Sequence, residues 1–85
     1  SDDIRDSYTT ALEVVCKDRT GLLVDISTAM STCKVNVNSL SVHTTADGFA
    51  IFHLVISVAD SKQLNQVMNK IHQISSVMKV NRPAG

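Results

Sequence analysis

The sequence predicts an α+β domain: a four-stranded antiparallel sheet with two helices packed on one face. Three observations predict it. The chain has 85 residues; a chain of that size makes one small domain, burying only about 60% of the surface its unfolded form exposes, and leaves no room for a two-lobed cleft. Hydrophobic residues are 44% and charged residues 19%, with three Gly and one Pro, which is ordinary globular composition and excludes collagen, low complexity and disorder. Above all, the apolar spacing changes between two and three-to-four in the order β-α-β-β-α-β. That order is a doubled β-α-β unit, whose usual solution is a helix layer on a sheet layer.

Each element has a local reason. From Tyr8 the period is two. Tyr8, Thr10, Leu12, Val14 and Cys16 share one face, and Thr9, Ala11, Glu13, Val15 and Lys17 the other, which makes a strand with one buried and one mixed face. Residues 17–21 break the pattern. The Thr20 hydroxyl is the expected N-cap of the next helix, because it can accept a free first-turn N–H. Leu22, Leu23, Ile26, Ala29, Met30 and Cys33 then recur at helical spacing. Val24 interrupts the polar face made by Asp25, Ser27, Thr28, Ser31 and Thr32, and Lys34 ends the segment with a charge suited to a helix C-terminus.

Val35, Asn36, Val37 and Asn38 alternate again, but Leu40, Val42 and Thr44 take the opposite parity. A parity switch inside one strand predicts a bulge near Asn38-Ser39. Thr45-Ala46-Asp47-Gly48 reads as a hairpin turn, with Asp-Gly supplying positive φ. Residues 49–58 form a long strand with Ala50, Phe52, Leu54, Ile56 and Val58 on one wholly apolar face. Asp60 or Ser61 caps a second helix, whose stripe is Leu64, Val67, Met68, Ile71 and Ile74. Val77-Met78-Lys79-Val80 is a short last strand. The polar, unpatterned residues 1–7 read as a linker, residues 8–82 as the domain and residues 83–85 as a tail, so the chain is expected to be a domain cut from something larger.

Eight Lys and Arg balance eight Asp and Glu, which excludes a strongly basic nucleic-acid binder or a polybasic membrane module. The charge is lopsided all the same: acids crowd residues 1–25, and after Asp60 only Lys62, Lys70, Lys79 and Arg82 follow. This reads as one mildly acidic and one mildly basic face. Cys16 and Cys33 lie far apart at apolar-patterned positions, so buried free thiols in a reducing cytoplasm are expected. No apolar run is long enough to span a bilayer, so no membrane partner is expected.

Catalytic and metal signatures are missing from the sequence. His43, His53 and His72 are scattered, with no ligand spacing. There is no nucleophile elbow and no phosphate-cradling glycine loop. No metal, cofactor or catalytic residue is therefore expected, and the chain does not read as an enzyme. RNA-recognition domains share the β-α-β-β-α-β order and stack bases on aromatic side chains of the third strand. Here that strand offers Gly48, Phe49 and Ala50 but Asp47 and Ile51 at the flanking positions, one ring in all, and an RNA- or ribosome-contacting module is the alternative reading. The sheet face away from the helices would carry Val15, Phe49, Ile51 and Val55, too apolar to stay wholly wet. Phe49, Ile51 and Val55 are thus the expected interface to a second copy or a neighbouring domain. At the first strand-to-helix junction, free N–H groups suit a carboxylate. Gly21 allows close approach, Thr20 adds a hydroxyl and Asp18 can meet an ammonium, parts that together suit an α-amino acid.

The string Asp18-Arg19-Thr20-Gly21-Leu22-Leu23-Val24-Asp25-Ile26-Ser27, followed by Val35-Asn36-Val37-Asn38-Ser39, resembles the ACT domain. Within that family it looks most like the C-terminal ACT domain of RelA/SpoT-type (p)ppGpp synthetase/hydrolases (GTP pyrophosphokinases), and the ending at residues 74–82 fits the same group. The resemblance implies a ferredoxin-like fold and a regulatory, non-catalytic role in the stringent response. It implies an effector site shared between two copies, with Asp18, Arg19, Thr20, Gly21, Leu22 and Leu23 on the loop and Asn36, Val37 and Asn38 at the start of the second strand. It further implies an amino acid effector, a homodimer, other domains of the parent chain, and ribosome or tRNA contact as partners. Many family members have Pro where Thr20 stands.

Overall fold

The computed structural model describes residues 7–83. Most of the expected linker (residues 1–7) and tail (residues 83–85) lies outside them. The elements are β1 (Tyr8–Lys17), α1 (Leu22–Thr32), β2 (Asn36–Thr44), β3 (Phe49–Val58), α2 (Ser61–His72) and β4 (Val77–Asn81). All neighbouring strands are antiparallel, in the order β2-β3-β1-β4. This is the ferredoxin-like arrangement that the alternation of periods predicts.

Period two explains the layers. Leu12, Val14 and Cys16 of β1 and Ala50, Phe52, Leu54, Ile56 and Val58 of β3 are buried on the face that meets the helices. Leu22, Ile26, Ala29 and Met30 of α1 and Leu64, Val67 and Ile71 of α2 are buried against them. The expected parity switch in β2 is present: Val37 pairs with Ile56, Ser39 pairs with Val55, and the register shifts between them. A second irregularity falls where β4 meets β1 between Val15 and Cys16.

The helix ends differ from expectation in two places. α1 does not use Thr20. Its N-cap is Gly21, left-handed at φ 88°, and no side chain caps it. The chain turns one residue later than Thr20 capping requires, which only glycine does without cost. α2 stops at His72, with Gln73 as its C-cap, so Ile74 leaves the helix although it still packs against the core. The end of α1 shows why the groove beside it is built as it is. Lys34 is left-handed (φ 60°). The Val35 N–H donates to the Met30 carbonyl at 3.3 Å and the Lys34 N–H to the Ser31 carbonyl at 3.1 Å, a closed turn that brings Val35 back over Met30.

Candidate effector site and pairing edge

β1 delivers the loop of residues 18–23 at the end of the sheet where Lys17 pairs with Phe49. The Asp18 N–H donates to the Gly48 carbonyl at 3.0 Å, tying this loop to the β2–β3 turn. Thr20 and Leu23 are exposed, whereas Leu22 is 3% exposed and belongs to the core. Asp25 adds a carboxylate to the first turn of α1, where the helix dipole favours it. Arg19 is engaged within the chain beside the helix start: it makes a 2.7 Å ion pair with Asp25 and donates to the carbonyls of Thr20 and Ser75.

Asn36, Val37 and Asn38 begin β2 at the other end of the sheet, where Asn36 pairs with Ser57. All three are exposed, and the Asn38 amide exchanges hydrogen bonds with the Ser57 hydroxyl at 3.2 and 3.3 Å. From Phe49 to Ser57 strand β3 runs roughly 26 Å, at about 3.3 Å per residue. One chain therefore does not bring the two halves of the expected effector site together.

Between the halves runs a groove of about 330 Å³ formed by α1 and β2, at the lower end of the roughly 300–1,000 Å³ range of small-molecule sites. Ile26, Met30, Val35, Val37 and Leu40 make its apolar lining, and Ser27 and Ser31 its polar lip. The sequence reading missed this groove. Its one visible signal is Val24, 66% exposed on the helix face that carries Ser27 and Ser31. Every residue of β2 is exposed. Val37, Leu40 and Val42 pair with Ile56, Leu54 and Phe52, so they point to the helix side, yet they are 40–47% exposed because the helices stop short of this edge.

On the opposite face Phe49, Ile51 and Val55 are half-buried as a patch. Phe49, Ile51, Val15 and Met78 line a shallow depression of about 410 Å³ whose rim includes Glu13, Asp47 and Lys79. Phe49 is its only aromatic ring, and Glu13 and Asp47 oppose a phosphate backbone. His43 and His53, scattered in the sequence, stack across β2 and β3 with ring centroids 5.9 Å apart. Their diagonal register brings them together, and no sequence spacing announces it. Cys16 is buried, and burial pushes its thiol above the ordinary value of 9.0 against the pull of the Arg19 charge. Cys33 is half-buried, and both thiols are free. No helix among the described residues is long and apolar enough to cross a membrane.

A glycine-started helix after the first strand, a six-element order and this sheet order agree with a family comparison: the ACT domain model matches residues 5–82. The chain belongs to the ACT-domain family. It is 33% identical over 75 residues to the bifunctional (p)ppGpp synthase/hydrolase RelA of Mycobacterium tuberculosis, covering 88% of this chain and 10% of that protein. It is 32% identical over 79 residues to the GTP pyrophosphokinase of Escherichia coli K12, covering 92% of this chain and 11% of that protein. The chain thus spans about a tenth of the length of the curated relatives it matches. Among solved structures, the ACT domain of the Chlorobium tepidum GTP pyrophosphokinase superposes with a TM-score of 0.80 at 22% identity, covering 91% of this chain and 99% of that one. The small subunit of acetolactate synthase from Thermotoga maritima gives 0.78 at 14% identity, over 88% of this chain and 47% of that one. This ACT domain is related to those of RelA-type proteins, and the solved neighbours share its fold.

Proposed function

We propose that this ACT domain is a non-catalytic regulatory module of a cytoplasmic RelA-type (p)ppGpp synthetase/hydrolase, and that it acts as a pair. Two copies join along β2 and the adjoining face of α1, and an amino acid is sensed at the seam. The observation that carries the reading is the β2 edge: a nine-residue strand, exposed throughout, with Val37, Leu40 and Val42 uncovered on its helix side. A long bare edge of this kind invites another strand. Covering each of these three side chains is worth roughly 1 kcal/mol, about half of its full transfer energy.

The pairing also reunites the divided site. A two-fold axis that sets β2 antiparallel against β2 makes one eight-stranded sheet. It brings residues 36–38 of the second copy to the end of the sheet that carries residues 18–23 of the first. The uncapped start of α1 then offers N–H groups to an α-carboxylate. Asp18 offers a carboxylate to the ammonium, and the groove offers Ile26, Met30 and Leu40 to an aliphatic side chain. Such an effector shifts the activity of the parent chain by binding its regulated states unequally. The open face with Phe49, Ile51 and Val55 is left to neighbouring domains of that chain.

The test is a titration of the labelled chain with each of the twenty amino acids, followed by amide shifts, beside sedimentation over a range of concentrations. The reading expects a mass that doubles with concentration and saturable shifts at residues 20–24 and 36–38. A mass that never leaves the monomer value, with no amino acid moving those amides, contradicts it.

A further inference from the structure

We propose that Arg19 is a positioning residue and does not contact the effector: its guanidinium clamps the β1–α1 loop to the α2–β4 turn, so that the state of one segment is felt at the other. The inference rests on the pairing reading only for what the clamp serves. Its geometry stands alone.

All three guanidinium nitrogens are engaged within the chain. Nε and Nη2 donate to the Ser75 carbonyl at 3.3 and 2.9 Å, Nη1 donates to the Thr20 carbonyl at 3.0 Å, and Nη2 donates to Asp25 Oδ2 at 2.7 Å. Nη1 also stands 3.7 Å from where a Cβ on Gly21 would be, so the plane packs beneath the left-handed turn. A planar fork makes this set of bonds, whereas an ammonium on a flexible stem cannot.

The far end of the clamp is a turn that does not rest easily. Ser76 is left-handed at φ 78° without being glycine. Its hydroxyl is buried with no hydrogen-bond partner. Both features are costly and persist only where the surroundings hold them. Two contacts hold this turn from the β1 side: the Lys17 N–H donating to the Ser76 carbonyl at 2.9 Å, and Arg19 on the adjacent Ser75 carbonyl. Releasing Arg19 lets Ser76 return to ordinary backbone angles and lets its hydroxyl meet water. The loop would then lose the support under Gly21 in the same event. Because linkage is reciprocal, a ligand that fixes the loop must also steady the α2–β4 turn and the β4 edge that follows it. The clamp thus joins the seam side of the domain to its opposite edge.

Amide hydrogen exchange of the 85-residue chain tests this without any ligand. The reporters are the amides of Lys17, Asp25 and Val77, each hydrogen-bonded beside the clamp. In Arg19→Ala all three should exchange faster together, by about tenfold or more for the loss of charge-assisted bonds, while the β3 amides keep their protection. Arg19→Lys should behave like Arg19→Ala at Val77, since it keeps the charge but loses the fork. Asp25→Asn should disturb the α1 start and spare Val77. Ser76→Gly should restore part of the protection lost in Arg19→Ala. Full protection at Val77 in Arg19→Ala, or full rescue by lysine, overturns the clamp. If an amino acid binds the wild type, it should slow exchange at Val77 there and not in Arg19→Ala. A wild type that ignores every amino acid defeats the effector reading and leaves the clamp to be judged on exchange alone.

Discussion

The two helices begin in opposite ways. α2 is closed by side chains: the Asp60 carboxylate accepts from the Gln63 N–H at 2.8 Å, and the Gln63 side-chain oxygen accepts from the Ala59 N–H at 2.7 Å. This is a reciprocal cap close to the Ser/Thr-x-x-Glu/Gln pattern. α1 begins on a left-handed glycine, with no side-chain hydrogen bond capping its first turn. The α2 start is sealed by side chains, and the α1 start is the one at which the proposed effector carboxylate would dock. Glycine at an N-cap costs only about a few tenths of a kcal/mol against Ser or Thr, so α1 gives up little by leaving its first N–H groups without a side-chain acceptor.

Substitutions can break this contrast, and they are expected to differ in size. The largest effect falls on Gly21→Val. A β-branched residue at φ 88° should cost about 2 kcal/mol in denaturant unfolding, from backbone strain alone, because no atom but the Arg19 guanidinium lies near the added Cβ. Asp60→Ala should cost about 1 kcal/mol by the same measurement, and Thr20→Ala less than about 0.5 kcal/mol. Equal losses at Asp60 and Thr20 would erase the distinction between the two starts.

The smallest effect concerns pH. Burial raises the Cys16 thiol above its ordinary value of 9.0, so the unfolded chain ionises first as pH rises. The stabilisation is complete below that value and is lost as pH climbs toward the raised one. Stability measured against pH should therefore fall on the alkaline side of 9.0 in the wild type, and that limb should flatten in Cys16→Ala. An unchanged alkaline limb in Cys16→Ala would show that the thiol is not responsible.

The fold was open to reading because periodicity reports burial directly. All six elements, the bulge at Asn38 and the cap at Asp60 follow from spacing and from one side chain reaching one N–H. Thr20 misled because a hydroxyl before a helix looks the same whether the chain turns there or at the glycine after it. The β2 edge stayed hidden for a related reason. Val37, Leu40 and Val42 come onto one face through the bulge, as the apolar residues of a covered strand would, and a strand's apolar pattern carries no information on where it stands in the sheet order. The separation of residues 18–23 from residues 36–38 is likewise a matter of direction: α1 returns the chain along the sheet, so neighbours in the motif end far apart. The Arg19 contact with the Ser75 carbonyl was not legible either, because that partner is a backbone group 56 residues away.

The claim on which the account turns is that one effector site needs two chains. Mixing two single variants tests it most directly: Gly21→Val, which spoils the loop, and Val37→Phe, which fills the opposite half. The readout is the amide shift produced by whichever of the twenty amino acids moves the wild type most. Each variant alone should be silent, and the mixture should recover about a quarter of the wild-type sites, since half the pairs are mixed and each of those holds one intact site of its two. A mixture as silent as its parts, beside a wild type that responds as a monomer, would contradict the account.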